Sequence, residues 1–226
     1  MPFVCKPRGG YQRGSADWKN NVDIIYAVLS AAGWSDYAVA GALGAFDMES
    51  GMNPWRWEGD NMRLNYGYGL PQFTPASDYI NLQGVQGHAP NMSDTQISGG
   101  NVSDGYAQTY VVRDNAPLAK WTGLTWRSYW DSTTYPQAWA KCQEVRSRYG
   151  RNTFTYDFYQ HNVLDIDDAS YIFFSAYEGP GNANSFDAYE IASRYAYQYI
   201  TGHEPPVPPT PTGRKLPLFF YLRYPF

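Results

Sequence analysis

The sequence predicts a mainly helical domain with one small irregular hairpin, and three observations carry that expectation. Apolar residues recur at three- and four-residue intervals in several separate segments, beginning with Trp18, Val22, Ile25, Leu29 and Ala32. The segment Asp168 to Glu178 is strongly apolar, with Ile172, Phe173, Phe174, Ala176 and Tyr177, and ends at Gly179-Pro180. Between Gly51 and Pro75 the helical pattern breaks into turn signals: Asn-Pro, Gly-Asp-Asn and Gly-Tyr-Gly.

Taken along the chain, residues 1–16 are polar and Gly-rich and read as an irregular arm. Asp17 is a candidate N-cap for the first helix and Gly33 its stop. Ser35 caps a second helix, striped by Val39, Ala42, Leu43 and Phe46 and closed by Gly51. Gly41, Gly44 and Ala45 leave little bulk on this helix, which suits a neighbour packed closely against it. The hairpin is expected over 51–75, one or two helical turns over Asp78 to Gln83, and an exposed loop over 84–105. Helices are expected over Tyr106 to Trp121, Tyr135 to Tyr149 and Asp168 to Glu178. A last helix runs through Ile200, with Asp187 and Glu190 as its capping box. The catalytic-size domain therefore spans 17–203, followed over 204–226 by a Pro-rich strap (PPVPPTPT) and an apolar end, LPLFFYLRYPF. That end is expected to dock, on this domain or on another protein.

Composition excludes several functions. The net charge is −4 and no basic run occurs, so nucleic acid is not an expected partner. No run of eighteen apolar residues is present, so no membrane span is expected. The start, MPFVCKPRGG, lacks the pattern of a secretory signal. The two cysteines, Cys5 and Cys142, are read as free thiols suited to a reducing compartment, a single bridge being the alternative. Aromatic residues make up 18%, including 21 Tyr and 8 Trp. This fits either a sugar-stacking groove or simply an aromatic core.

The three histidines, His88, His161 and His203, make no metal-ligand motif, so no metal or cofactor is expected. No nucleophile elbow or phosphate loop occurs, and the pair Cys142 and His161 carries no recognisable spacing. Carboxylates remain. Glu49, in the last turn of the second helix, lies beside Ala42 and Phe46 at the margin of the apolar stripe. A half-desolvated carboxyl there keeps its proton to higher pH, as a general acid must. Asp47 flanks the opposite margin, and wheel geometry does not choose between them.

The strings ALGAFDMESGMNPWRWEGDN and NYGYGLPQFTPASDYI do choose. They resemble the lysozyme-like peptidoglycan hydrolases of bacteriophage tails, notably the wall-degrading domain at the tail tip of small short-tailed phages. They are similar, more distantly, to lytic transglycosylases and goose-type lysozymes. In those families an ES dipeptide at a helix end supplies the catalytic Glu, here Glu49-Ser50. A G-hydrophobic-x-Q segment lines the groove, here Gly69-Leu70-Pro71-Gln72-Phe73. A third match, SYIFFSAYEGPGNAN, implies that Tyr177 approaches the carboxyl.

The resemblance implies a two-lobed lysozyme-like fold with the substrate groove between lobes. It implies cleavage of the β-1,4 link between N-acetylmuramic acid and N-acetylglucosamine, by a protein carried in the virion through partners in the phage tail. A lysis enzyme with the same core, or a non-catalytic sugar-binding or structural module, are the alternatives. Glu58 and Asp60 are candidates for a second carboxylate, with Asp60 preferred. One Glu assisted by the substrate's own N-acetyl group is the other arrangement. Gln72 is expected to bond an N-acetyl or hydroxyl group, and Tyr68, Phe73 and Tyr177 to offer stacking faces.

Overall fold

The computed structural model describes residues 1–90, 101–123, 126 and 130–204. The expected strap and apolar end, and part of the expected loop over 84–105, lie outside these residues.

The architecture is helical. In order come α1 (Ala16–Ala31), α2 (Asp36–Ser50), α3 (Ala76–Ile80), α4 (Ser103–Asp114), α5 (Pro136–Tyr149), α6 (Tyr156–Asn162), α7 (Ile166–Phe173) and α8 (Phe186–Thr201). None of the described helices is long and apolar enough to cross a membrane.

Helix α2 is the axis of the core. Every residue from Ala38 to Phe46 is buried, because α7 and α8 pack along it and α1 closes a further side. Its small residues are what permit this. A Cβ on Gly41 would come 2.9 Å from the Ala169 carbonyl of α7, and one on Gly44 2.6 Å from the Ser193 nitrogen of α8. The ends follow local chemistry. Ser35 Oγ accepts the Ala38 N–H, and Gly51, at φ 58°, takes the left-handed turn that ends the helix. For α1 the cap is Ser15 rather than Asp17, its Oγ accepting the Trp18 N–H.

The N-terminal arm is irregular but docked. Asn21 and Asn53, both fully buried, bind its backbone: Asn21 at Val4, Asn53 at Lys6 and Gly9. Phe3 is buried against the edge of Tyr106. Each asparagine exchanges a water contact for two or more protein ones, which holds an unpatterned segment without a hydrophobic stripe.

Three expectations are corrected. Helix α4 stops at Asp114, with Asn115 at φ 49°, and does not reach Trp121. Pro117 explains the early stop, since it supplies no N–H and disfavours helix at the residue before it. Helix α6 was not expected; Thr155 caps it through the Phe158 N–H. The Asp187–Glu190 capping box does not form. Glu190 instead faces Lys141 of α5 at 3.3 Å, inside a buried cluster completed by Asp168. The aromatic surplus is largely core: Trp18, Trp57, Trp130, Tyr68, Tyr79, Tyr159 and Tyr171 are fully buried.

Candidate active site

Glu49 occupies the last turn of α2, and its neighbour Ser50 turns inward, its Oγ donating to the Phe46 carbonyl. The Glu49 side chain is half-buried and accepts a hydrogen bond on Oε1 from Tyr189 Oη, delivered by α8. Burial pushes its pKa above the usual carboxylate range, and the nearby Glu58 charge adds to this, while the Tyr189 hydrogen bond acts against it. Burial and the Glu49 charge together raise the Tyr189 hydroxyl. The phenol therefore remains a donor.

Asp47 has a different role. Its carboxylate accepts from Trp18 Nε1 at 2.7 Å and pairs with Arg13. It is a neutralised strut between α2, α1 and the arm.

The hairpin is reduced to bridges pairing Trp57 with Tyr68 and Tyr68 with Phe73. Glu58 lies at the start of this unit, its Oε2 accepting the Gly67 N–H at 2.9 Å. Asp60, two residues on, is held by the Gly9 N–H at 2.8 Å and by Arg56 at 3.2 Å. Of the two, Glu58 is the one whose charge reaches Glu49.

Gln72 adopts φ 46° and spends its amide donor inside the loop, on the carbonyls of Arg56 and Gly69, each at 3.0 Å. Its Oε1 is buried with no partner among the described residues. The expected N-acetyl donor thus serves first as a brace. Tyr68 is corrected more sharply. It is fully buried, its hydroxyl bound to Asp104 at 2.6 Å and its ring packed on Trp57 and Tyr79, so no face is open to a sugar. Phe73 has one face stacked on Tyr79, with centroids 4.7 Å apart. Tyr177 stacks likewise on Phe173 at 4.8 Å, and its buried hydroxyl has no partner among the described residues.

The loop at Gln72 and the turn at Tyr177, about a hundred residues apart in sequence, do meet across one groove. Pro71, Gln72, Phe73 and Thr74 form one wall, Tyr177 and Glu178 the other, with Lys120 beside them. Glu49 is not part of this lining; Tyr189, which donates to it, also feels the charge of Glu178. Tyr189, Lys120 and Glu178 were not singled out in the sequence. Tyr189 had no local signal, since its partner is 140 residues away. Among the described residues no group of three His, Cys, Asp or Glu is placed to hold a metal ion. Neither Cys5 nor Cys142 is in a disulfide, and Cys142 is fully buried.

The described residues form a helical domain that holds a desolvated carboxyl at the end of its central helix, an arrangement suited to acid-assisted chemistry. The chain belongs to the phage tail lysozyme family, whose model matches residues 20–201. It is also similar to Morphogenesis protein 1 of Bacillus phage B103, 35% identical over 78 residues. That stretch is 34% of this chain and spans only 21% of the relative's length.

Proposed function

We propose that this protein cleaves the β-1,4 bond between N-acetylmuramic acid and N-acetylglucosamine, with Glu49 as general acid. One observation carries the reading. Glu49 is a half-buried carboxyl that accepts from a phenol and whose pKa is raised by burial and by the Glu58 charge, whereas Asp47 on the same helix turn is paired with Arg13. Burial makes such a group hold its proton to higher pH than a free carboxylate does, and it can release it to the leaving glycosidic oxygen. As the proton departs, the Tyr189 O–H is already directed at the carboxylate that forms, so no reorganisation is needed at that moment.

Glu58, rather than Asp60, is the second carboxylate in this reading. Asp60 is committed to Arg56 and to the arm, while Glu58 is exposed and close enough to influence Glu49. Its negative charge would stabilise a developing oxocarbenium ion or activate water. Gln72 braces the loop that lines the groove, and Phe73 and Tyr177 line it from its two sides. The site acts from within a phage particle during wall penetration, with residues 204–226 attaching it to tail proteins.

Zymography on purified wall tests the assignment. Wild type should clear the wall and Glu49→Gln should clear it at least about a hundredfold more slowly, the usual effect of losing a general acid. Equal clearing by both would overturn the role of Glu49. Mass spectrometry of the fragments separates reducing-end from anhydro products. Deleting residues 205–226 should leave clearing intact and release the protein from particles.

A further inference from the structure

Glu49 lies in the last turn of α2 and Glu58 at the start of the hairpin, so the gap between them depends on how these two elements are joined. The N-terminal arm joins them at two points, each two residues downstream of a carboxylate. The Tyr11 N–H donates to the Gly51 carbonyl at 2.8 Å, and the Gly9 N–H donates to Asp60 Oδ1 at 2.8 Å. Between the two donors stands Gly10. A Cβ on it would come 2.7 Å from both the Gly51 Cα and the Ser50 carbonyl oxygen, so the arm backbone lies directly on the backbone that follows Glu49. The Gly51 carbonyl is one of the acceptors a helix end leaves unpaired, and the arm supplies its donor.

This joint is itself held in place. Asn53, fully buried, donates to the carbonyls of Lys6 and Gly9, each at 2.8 Å, and accepts the Lys6 N–H at 3.2 Å. Arg13 extends the contact by pairing with Asp47, in the same last turn of α2 as Glu49. In a glycosidase with two carboxyls their separation sets the chemistry: about 5 Å lets the second capture the sugar, about 6.5–9.5 Å admits a water. A misplacement of about 1 Å at a reacting contact costs about a hundredfold in rate. We propose that residues 9–11 of the arm clamp Glu49 and Glu58 at their working separation, with Gly10 and Asp60 as positioning residues. Asp60 then acts through the arm and not on the substrate. This rests on the reading of Glu49 and Glu58 given above.

The test compares Asp60→Asn with Asp60→Ala on soluble glycan strands. Both remove the charge, but Asn keeps an oxygen to accept the Gly9 N–H. Asp60→Asn should stay within about threefold of the wild-type kcat, since it forfeits only a partly exposed ion pair. Asp60→Ala should lose about tenfold or more. The Glu58 charge raises the Glu49 pKa, so opening the clamp should also move the alkaline limb of the kcat–pH profile to lower pH in Asp60→Ala and not in Asp60→Asn. A protein that is merely less stable loses amplitude without moving that limb. Gly10→Ala should behave as Asp60→Ala does, and the double variant should lose little more than either alone, because both open one joint. An Asn variant as impaired as Ala, wild-type activity in both Ala variants, or losses that multiply would each overturn the clamp. Titration of the Glu49 carboxyl by carbon-13 NMR needs no turnover. A Glu49 pKa lowered by Asp60→Ala alone, in a protein whose Glu49→Gln form still clears the wall, would retain the clamp and remove the catalytic reading. Loss of clearing in Glu49→Gln, with one Glu49 titration shared by wild type and both Asp60 variants, would do the reverse.

Discussion

Replacing Gly44 by Ala separates two physical effects of opposite sign. Helix propensity alone makes Ala better than Gly by about 1 kcal/mol in a helix interior. The contact with α8 opposes it. A Cβ at residue 44 would stand 2.0 Å from Ser193 Oγ, 2.6 Å from its nitrogen and 2.7 Å from its Cα. The hydroxyl can rotate away, but the backbone atoms cannot. Restoring ordinary carbon contact requires α8 to move outward by about 1 Å. Overpacking of this kind costs about 1–3 kcal/mol, and a backbone clash belongs at the upper end, for a net loss of about 2 kcal/mol. In a domain of this size that is a fall in Tm of roughly 4–8 °C. Tyr189 lies one helical turn from Ser193 on α8, so the same displacement pulls its hydroxyl off Glu49. A displacement of about 1 Å at a catalytic contact can reduce turnover by about a hundredfold. Urea unfolding and wall clearing on one preparation measure both. Adding Ser193→Gly should recover only part of the loss, because the backbone contact remains. A Gly44→Ala protein as stable as wild type, or more so, would refute the packing argument and the route by which α8 is said to position the site.

The other perturbations act on charge. Tyr189→Phe removes the hydrogen bond that lowers the Glu49 pKa, so the alkaline limb of the kcat–pH profile should move to higher pH as the rate falls. Glu58→Gln removes a charge that raises it, so in its residual activity the same limb should move to lower pH; shifts in the same direction would contradict the assignment. A carboxyl with a raised folded pKa penalises the native state progressively as pH rises from its unfolded pKa to its folded one, and fully above that. Glu49→Gln should therefore be more stable than wild type at pH 8 by on the order of 1 kcal/mol, a difference that disappears by pH 4, read by thermal melts. Lys141→Met leaves Asp168 and Glu190 in the core without their shared cation, and burial already holds both carboxyls up. It should cost about 3 kcal/mol in urea unfolding, more at pH 8 than at pH 5.

Much of the helical framework was legible because it rests on local signals. Ser35 and Gly51 fix α2 through caps readable in four residues, and the small residues on α2 announced a close neighbour without saying which. The misreadings come where tertiary contacts outrank local chemistry. Glu190 has the spacing of a capping residue, yet a buried Lys141 from a distant helix is the stronger partner. Tyr68 has the composition of a sugar platform, yet Asp104, 36 residues away, draws its hydroxyl inward and closes the core over its ring. Aromatic content cannot separate these fates, because a phenol suits a wet groove and a satisfied core equally well.

The pair Asp47 and Glu49 shows the same point at the site itself. On the helix alone they are near-equivalent: two carboxylates flanking one apolar stripe in one turn. The equivalence is broken by elements far away in sequence. The arm brings Arg13 and α1 brings the Trp18 indole to Asp47, so that carboxylate has both a cation and a donor beside it. To Glu49, α8 brings a phenol and the hairpin a negative charge, and burial together with that charge raises its pKa. Acid strength here is decided by what each neighbour lacks as much as by what it supplies. A substitution that placed a cation at Glu58 would therefore be expected to lower the Glu49 pKa, and with it the alkaline limit of activity, without touching Glu49 itself.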